Sequence, residues 1–294
     1  MSLESFLEPT DIDQVCDLLE ADPWGTKVIS GGTAVTLMMR QGLIAPDSLV
    51  SISNITSMHG ISEAESCLTI GATTTLTEIA RSPLVRMYAP GVATACSLVG
   101  NPRIRNVATI GGNLAEADYA SDPPAALASY SAECHVVGHN GTRVVPVIDL
   151  IRGFYETVLE PSEVVTRVDI PLPKSEQHGT YLKYRSRSSE DRACVGVAAR
   201  VDFDDGIVTD LMVVVAAVAP TLQSVANVLM SVRGMPLDPD TIESVAAAYA
   251  DEIEPMDDAR GSAWYRSRMI KVFVKRALEE LSDAQQTLGV DQRG

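Results

Sequence analysis

Two glycine pairs constrain this chain more than any other feature. The first lies in Lys27-Val28-Ile29-Ser30-Gly31-Gly32-Thr33-Ala34-Val35, a short apolar run that meets Gly-Gly, then a hydroxyl, then an amphipathic stretch to about Gln41. The second lies in Val107-Ala108-Thr109-Ile110-Gly111-Gly112-Asn113-Leu114-Ala115, with Asp118, Ser121, Asp122 and Pro123 following. Val107–Ile110 is short, β-branched and apolar, so it reads as extended. A glycine pair removes side chains from two consecutive backbone units, tolerates positive φ and lets N–H groups approach a bulky anion. Asp122-Pro123 reads as a helix start, with Asp as N-cap and Pro at the first helical position. Either pair alone is an ordinary tight turn. Two copies predict a clamp on one diphosphate, with charge carried by backbone N–H groups and hydroxyls.

The remainder reads as mixed α/β. A helix begins at Thr10-Asp11 with Ile12, Val15, Cys16 and Leu19 on one face. Strands at 27–30 and 49–52 flank the first glycine loop, so they are expected to be parallel. Without G-x-G-x-x-G after the first strand, a Rossmann domain is not expected. Further on, 68–72 reads as a strand, Thr75–Glu78 as a capping box, and 84–99 as one long helix. A hairpin is expected over 134–147 about Asn140-Gly141, with His135 and His139 as ordinary hairpin residues, and a strand over 164–170. From 176 the pattern changes: a strand-like alternation at 181–187, a hairpin 194–218 turning at Asp204-Asp205-Gly206, then helices near 222–233, 240–251 and 262–282. Trp264, Ile270, Val274 and Leu278 share helical spacing in the last, and the tail from Thr287 is polar. Three units follow: 1–60, 61–175 and 176–294, an α+β and α/β chain ending in an antiparallel sheet with helices.

With 294 residues and a net charge of −16, the chain has room for a full core and repels nucleic acid. No apolar run reaches membrane-span length, and the amino end has no signal-peptide pattern, so a cytoplasmic protein is expected. Cys16, Cys67, Cys96, Cys134 and Cys194 are scattered with no Cys-x-x-Cys, which predicts buried thiols rather than disulfides, zinc or an iron–sulfur cluster.

On these residues the chain resembles the FAD-binding medium subunit of the xanthine dehydrogenase and carbon monoxide dehydrogenase family of molybdenum hydroxylases. Ser30–Thr33 is similar to the family's first double-glycine motif, and Thr109–Leu114 with Ala117-Asp118 and Ser121-Asp122 to the second. Gly196–Ala199 and the arginine-rich last helix match too. The resemblance implies a two-subdomain FAD-binding fold of vanillyl-alcohol-oxidase (PCMH) type plus the flavoprotein C-terminal domain. It implies FAD in this chain, a large partner holding a molybdopterin-type molybdenum cofactor, and a small partner holding two [2Fe-2S] clusters, in a dimer of heterotrimers. Electrons would pass from the clusters through FAD to an external acceptor. It places Val28, Ile29, Ser30, Gly31, Gly32, Thr33 and Val35 on cofactor-contacting positions, with Ala108, Thr109, Gly111, Gly112, Asn113, Ala115, Asp118, Ser121 and Asp122. Val99 and Val165 fall where apolar groups pack near the rings, and Lys183 on a lysine near the isoalloxazine. Asp122 is either a cofactor contact or a helix cap; Lys183 is either a cofactor contact or a solvated strand lysine; Val99 and Val165 are either ring contacts or plain core. In Glu190-Asp191-Arg192-Ala193, where relatives carry an apolar or aromatic shield, this chain has Arg192: the loop is shifted, or an arginine controls access to the flavin. No catalytic acid or base is demanded. The alternative is a stand-alone FAD oxidoreductase with its own small organic substrate.

Overall fold

The computed structural model describes residues 3–186, 188 and 191–291. Arg187, Glu190 and the last residues of the polar tail lie outside the described residues. The chain opens with β1 (Ser5–Leu7), α1 (Ile12–Ala21), β2 (Thr26–Ile29), α2 (Val35–Arg40) and β3 (Ser48–Ser51). These strands form a parallel sheet in the order β1-β3-β2. The β2–β3 pairing is as the crossover predicted; β1 adds an edge that three residues cannot announce by periodicity. Asp11 caps α1 by accepting from the Gln14 N–H at 2.9 Å, and Val15, Cys16 and Leu19 are its buried face.

Next come β4 (Ile61–Glu63), β5 (Cys67–Gly71), α3 (Leu76–Arg81), α4 (Pro83–Tyr88), α5 (Pro90–Leu98), α6 (Pro102–Arg105), α7 (Ile110–Glu116) and α8 (Pro123–Ser129). After them run β6 (Glu133–Gly138), β7 (Gly141–Pro146), α9 (Val147–Leu150), β8 (Ile151–Gly153), β9 (Glu156–Thr157) and β10 (Val164–Pro171). An antiparallel sheet results, ordered β4-β5-β10-β6-β7. The Thr75–Glu78 capping box forms with both of its hydrogen bonds.

Four local expectations need correction. The 84–99 helix is two helices, because Pro90 lacks an N–H and starts a new helix at N1. The β6–β7 loop is His139-Asn140, with Gly141 at φ 113° opening β7. Ile110 is helical rather than extended, so Gly111-Gly112 sits in the first turn of α7, and only Thr109 makes a bridge, to Thr75. The last helix runs on to Asp291, and Trp264 is 67% exposed, off the buried stripe that Ile270, Val274 and Leu278 share.

The third sheet is β11 (Glu176–Tyr184), β12 (Val195–Asp204) and β13 (Ile207–Ala216), antiparallel in that order. Asp205 and Gly206 both take positive φ in its tight turn. Helices α10 (Ala226–Val232), α11 (Pro239–Glu252) and α12 (Ala263–Asp291) complete the chain. Strand alternation splits the sheet between two cores. Tyr181, Ala198 and Val214 face α5 and α8 and join the larger cluster, while Val197, Ala199, Val201, Val213 and Val215 pack beneath α11 and α12.

The two glycine motifs meet. A Cβ on Gly31 would lie 1.8 Å from the Val107 carbonyl oxygen and 2.6 Å from its carbon. Only a residue without a side chain fits there, and backbone cannot yield as a flexible side chain can. Gly31→Ala is therefore expected to destabilise the chain by about 1–3 kcal/mol, the range for forcing atoms into filled space, read from denaturant unfolding. An unchanged midpoint would mean that the loops do not touch.

Candidate functional site

The turn after β2 carries four consecutive N–H groups, those of Gly31, Gly32, Thr33 and Ala34, with no hydrogen-bond acceptor among the described residues. Gly32 has φ 68°, a left-handed conformation that glycine adopts without strain. Successive unpaired N–H groups of this kind make an anion-binding concavity. Val28, Ile29, Ser30, Thr33 and Val35 around it are half-buried, and α2 has no buried residue.

The second motif works differently from the expectation. Its N–H groups are already used: Gly111 donates to the Ala72 carbonyl at 2.9 Å, Ile110 to Thr74 at 3.1 Å, and Gly112 to the Thr109 hydroxyl at 3.3 Å. Gly111 is there for packing, since a Cβ would meet the Ala72 Cβ at 2.6 Å. Gly112 is the open one: a Cβ there meets only the Thr109 hydroxyl within 4 Å, and Gly112 and Ala115 are both exposed. Ala108 and Thr109 are buried beneath them. Asn113 accepts from the Ser121 hydroxyl at 2.9 Å, which fixes the 117–122 loop onto α7.

Asp122 does not cap α8; its side chain makes no cap bond. It accepts from Lys183 Nζ at 2.7 Å and from the Tyr181 hydroxyl at 2.6 Å, and the Asp122 and Lys183 side chains are 3% and 2% exposed. Lys183 is thus not a solvated strand lysine. Its ammonium also donates to the Leu98 carbonyl at 3.1 Å, beside half-buried Val99. Burial pushes the Asp122 carboxyl up from its ordinary value against the opposing pull of Lys183 and Tyr181. Burial and then Asp122 push the Tyr181 phenol well up. Tyr181 was missed in the sequence, although residues two apart on a strand share a face and the alternation pairs it with Lys183.

Asp118 ion-pairs with Arg192 at 2.8 Å, and Arg192 also donates to the Tyr155 hydroxyl at 3.2 Å. Asp191 closes its own turn by accepting from the Ser188 N–H at 2.9 Å. Val165 is buried core opposite Val136 in β10. It touches the site only through the chain, since the carbonyl of Thr166 takes the Ala72 N–H behind α7. Glu116, also missed, is pushed up to about 6 by burial and then by Asp118, against Arg192 and Lys27. Among the described residues, no group of three His, Cys, Asp or Glu is placed to hold a metal, and all five cysteines are free, with Cys67 half-buried and the others buried. No helix of the described chain is long and apolar enough to cross a membrane.

A run of free N–H donors on a loop that touches the second glycine motif suits an anionic group such as the diphosphate of a dinucleotide cofactor. Comparison with known families decides which. The description "FAD binding domain in molybdopterin dehydrogenase" matches residues 2–173, and "CO dehydrogenase flavoprotein C-terminal domain" matches 180–281. The chain belongs to the FAD-binding subunits of the molybdopterin dehydrogenases. This flavoprotein subunit is 30% identical over 270 residues to the carbon monoxide dehydrogenase medium chain of Hydrogenophaga pseudoflava, covering 92% of this chain and 94% of that one. It is 26% identical to the glyceraldehyde dehydrogenase medium chain of Sulfolobus acidocaldarius, covering 95% and 98%. In structure it resembles a chain of Hydrogenophaga pseudoflava carbon monoxide dehydrogenase with TM-score 0.90 at 30% identity, covering 95% and 96%. A chain of quinoline 2-oxidoreductase from Pseudomonas putida 86 gives 0.89 at 26%, covering 97% and 99%. The expected fold, PCMH-type FAD binding with the flavoprotein C-terminal domain, is the fold found.

Two outcomes test the electrostatics. Lys183→Met leaves Asp122 buried without its partner, so a loss of about 3–5 kcal/mol in denaturant unfolding is expected, largely restored by adding Asp122→Asn. Equal losses in the single and double variants would show that the pair is not coupled. Glu116 has a raised folded value, so its contribution is present below the ordinary glutamate value of 4.5 and lost as pH rises through about 6. Wild type should therefore lose stability across that interval relative to Glu116→Gln; parallel pH profiles would contradict the burial of this carboxyl.

Proposed function

We propose that this flavoprotein subunit is the electron relay of a cytoplasmic, heterotrimeric molybdenum hydroxylase. A large partner would hold the molybdenum cofactor and the organic or inorganic substrate, and a small partner two [2Fe-2S] clusters. Two copies of the trimer would assemble, and an external acceptor would take the electrons. The reading is supported by family membership, by the medium-chain relatives over nearly their whole length, and by free thiols suited to a reducing compartment. One observation carries the cofactor's placement: four unpaired N–H groups at Gly31–Ala34 lie on the loop that touches the second glycine motif.

The residues divide the work. In this reading the Gly31–Ala34 N–H groups hold the diphosphate, with the Ser30 and Thr33 hydroxyls beside them. Gly112 and Ala115 offer a side-chain-free face for close approach, and Asn113, tied to Ser121, sets the edge of that face. Val28, Ile29 and Val35 exclude water on one side; Val99 forms an apolar wall, and Val165 lies in the core behind α7. Lys183 and Asp122 stand as a neutral pair, so the cation acts on its surroundings through a compensated field. Arg192, held by Asp118 and Tyr155, borders the opening with Asp191. FAD, when bound, converts between one-electron and two-electron transfer, and the protein supplies position and electrostatics. We further propose that the chain divides into units 1–60, 61–175 and 176–294.

Gly112→Asp sets a carboxylate on the open face against a diphosphate. Like charges in contact cost several kcal/mol, so the flavin-to-protein absorbance ratio should fall at least about tenfold. The fold should survive, because a side chain there meets almost nothing else. Full flavin content in this variant would remove the second motif from the diphosphate site. A colourless wild-type protein would defeat the whole reading.

A further inference from the structure

Trp24 is 85% exposed, more than any other large apolar side chain described. The chain has only two tryptophans. The other, Trp264, is stacked by Arg268, whose guanidinium carbon lies 4.9 Å from the ring centroid. Trp24 has no hydrogen bond, ring contact or cation contact among the described residues. A ring of this size buries 150–250 Å² when it finds a partner, and tryptophan is prominent among residues that dominate protein interfaces.

Trp24 does not stand alone. Leu43 is 69% and Leu3 40% exposed. Leu3 and Trp24 come from separate segments whose next residues, Glu4 and Gly25, both bond Asp47 at the amino end of the parallel sheet. Asp47 donates its N–H to the Gly25 carbonyl at 2.8 Å and accepts from Glu4 N–H at 2.8 Å. The free N–H groups of Gly31–Ala34 lie beyond the carboxyl end of β2, so this patch occupies the opposite end of the same sheet.

Its rim is acidic. Residues 1–50 carry eight Asp or Glu against two Lys or Arg, and Glu4 and Asp22, bonded to Asp47 and Gly25, are exposed. Lys27, the nearest cation in sequence, acts on Glu116 at the α7 side. This charge selects the occupant. Anionic lipid and nucleic acid are repelled. A second copy of the chain docked symmetrically would set the acidic rim against itself. A basic protein surface with an apolar recess satisfies both the ring and the rim.

We propose that the Trp24–Leu3 patch is a docking surface for a partner subunit of the enzyme complex, one that presents lysines and arginines around an apolar recess. This rests on the reading of the chain as one subunit of a heterotrimer.

The test uses the full complex, co-expressed and purified, and compares wild type with Trp24→Glu. The variant chain alone should keep wild-type flavin content and melting behaviour, because Trp24 contacts nothing that holds the fold. Its dissociation constant for the partner subunits, read by sedimentation or by a titration on a biosensor, should rise at least about 30-fold, as expected for an interface anchor. Wild-type association should also weaken between low and high salt, because the rim interaction is screened. N-bromosuccinimide should oxidise Trp24 in the free chain and spare it in the complex. Unchanged affinity in Trp24→Glu, a salt-independent constant, or equal oxidation in both states would each overturn the proposal. So would a wild-type chain that self-associates alone and becomes monomeric in Trp24→Glu, since the occupant is then a second copy. Failure of the wild-type chain to assemble with any molybdenum-cofactor subunit is a different result, and it strikes the heterotrimer reading itself.

Discussion

A carboxylate and an ammonium lie side by side in the interior, Asp122 at the head of α8 and Lys183 on β11. Taking two ions out of water costs several kcal/mol each, and the attraction repays this only when the remaining donors and acceptors are satisfied. Here they are: the Tyr181 hydroxyl serves Asp122, and the Leu98 carbonyl serves Lys183. The pair therefore acts as a register pin between the FAD-binding region and the C-terminal sheet. Its reach is longer than its contacts. Asp122 follows Ser121, Ser121 holds Asn113, and α7 then lies where its glycines meet Ala72 on one side and stay open on the other.

The two glycine pairs look alike in sequence and do unlike work. Gly31 permits contact with another backbone, and its loop keeps four N–H groups unspent. Gly111 permits helix-to-strand packing, and only Gly112 keeps its face clear. In the proposed reading, charge recognition and steric access are split between the two, where a single phosphate loop would combine them.

Much of the architecture was legible because local signals agreed with one another. The Thr75–Glu78 box, the Pro123 helix start, the Asp205-Gly206 turn and the period-two strands of the last sheet all formed as their chemistry dictates. What was not legible was decided by distant partners. Thr109 ends as a helix cap, although the β-branched run before it reads as extended, because Thr74 and Ala72 offer carbonyls to the following N–H groups. Asp122 reads as a cap until a lysine 61 positions away claims it. Within the candidate site, glycines and hydroxyls could be named from motifs. Tyr181, Tyr155 and Glu116 could not, since their roles come from burial and from neighbours supplied by other segments.

The buried acid–base pair carries an evolutionary consequence. Its two members lie on either side of the junction between the two matched domains, Asp122 within 2–173 and Lys183 within 180–281. A recombination event breaking the gene at that junction would graft an acid from one lineage onto a sheet from another. Unless the incoming segment brought a lysine at the matching register, the chimera would bury a bare charge. The modules are thus continuous by covalent bond and also by ionic bookkeeping, and they are expected to have been inherited as one block.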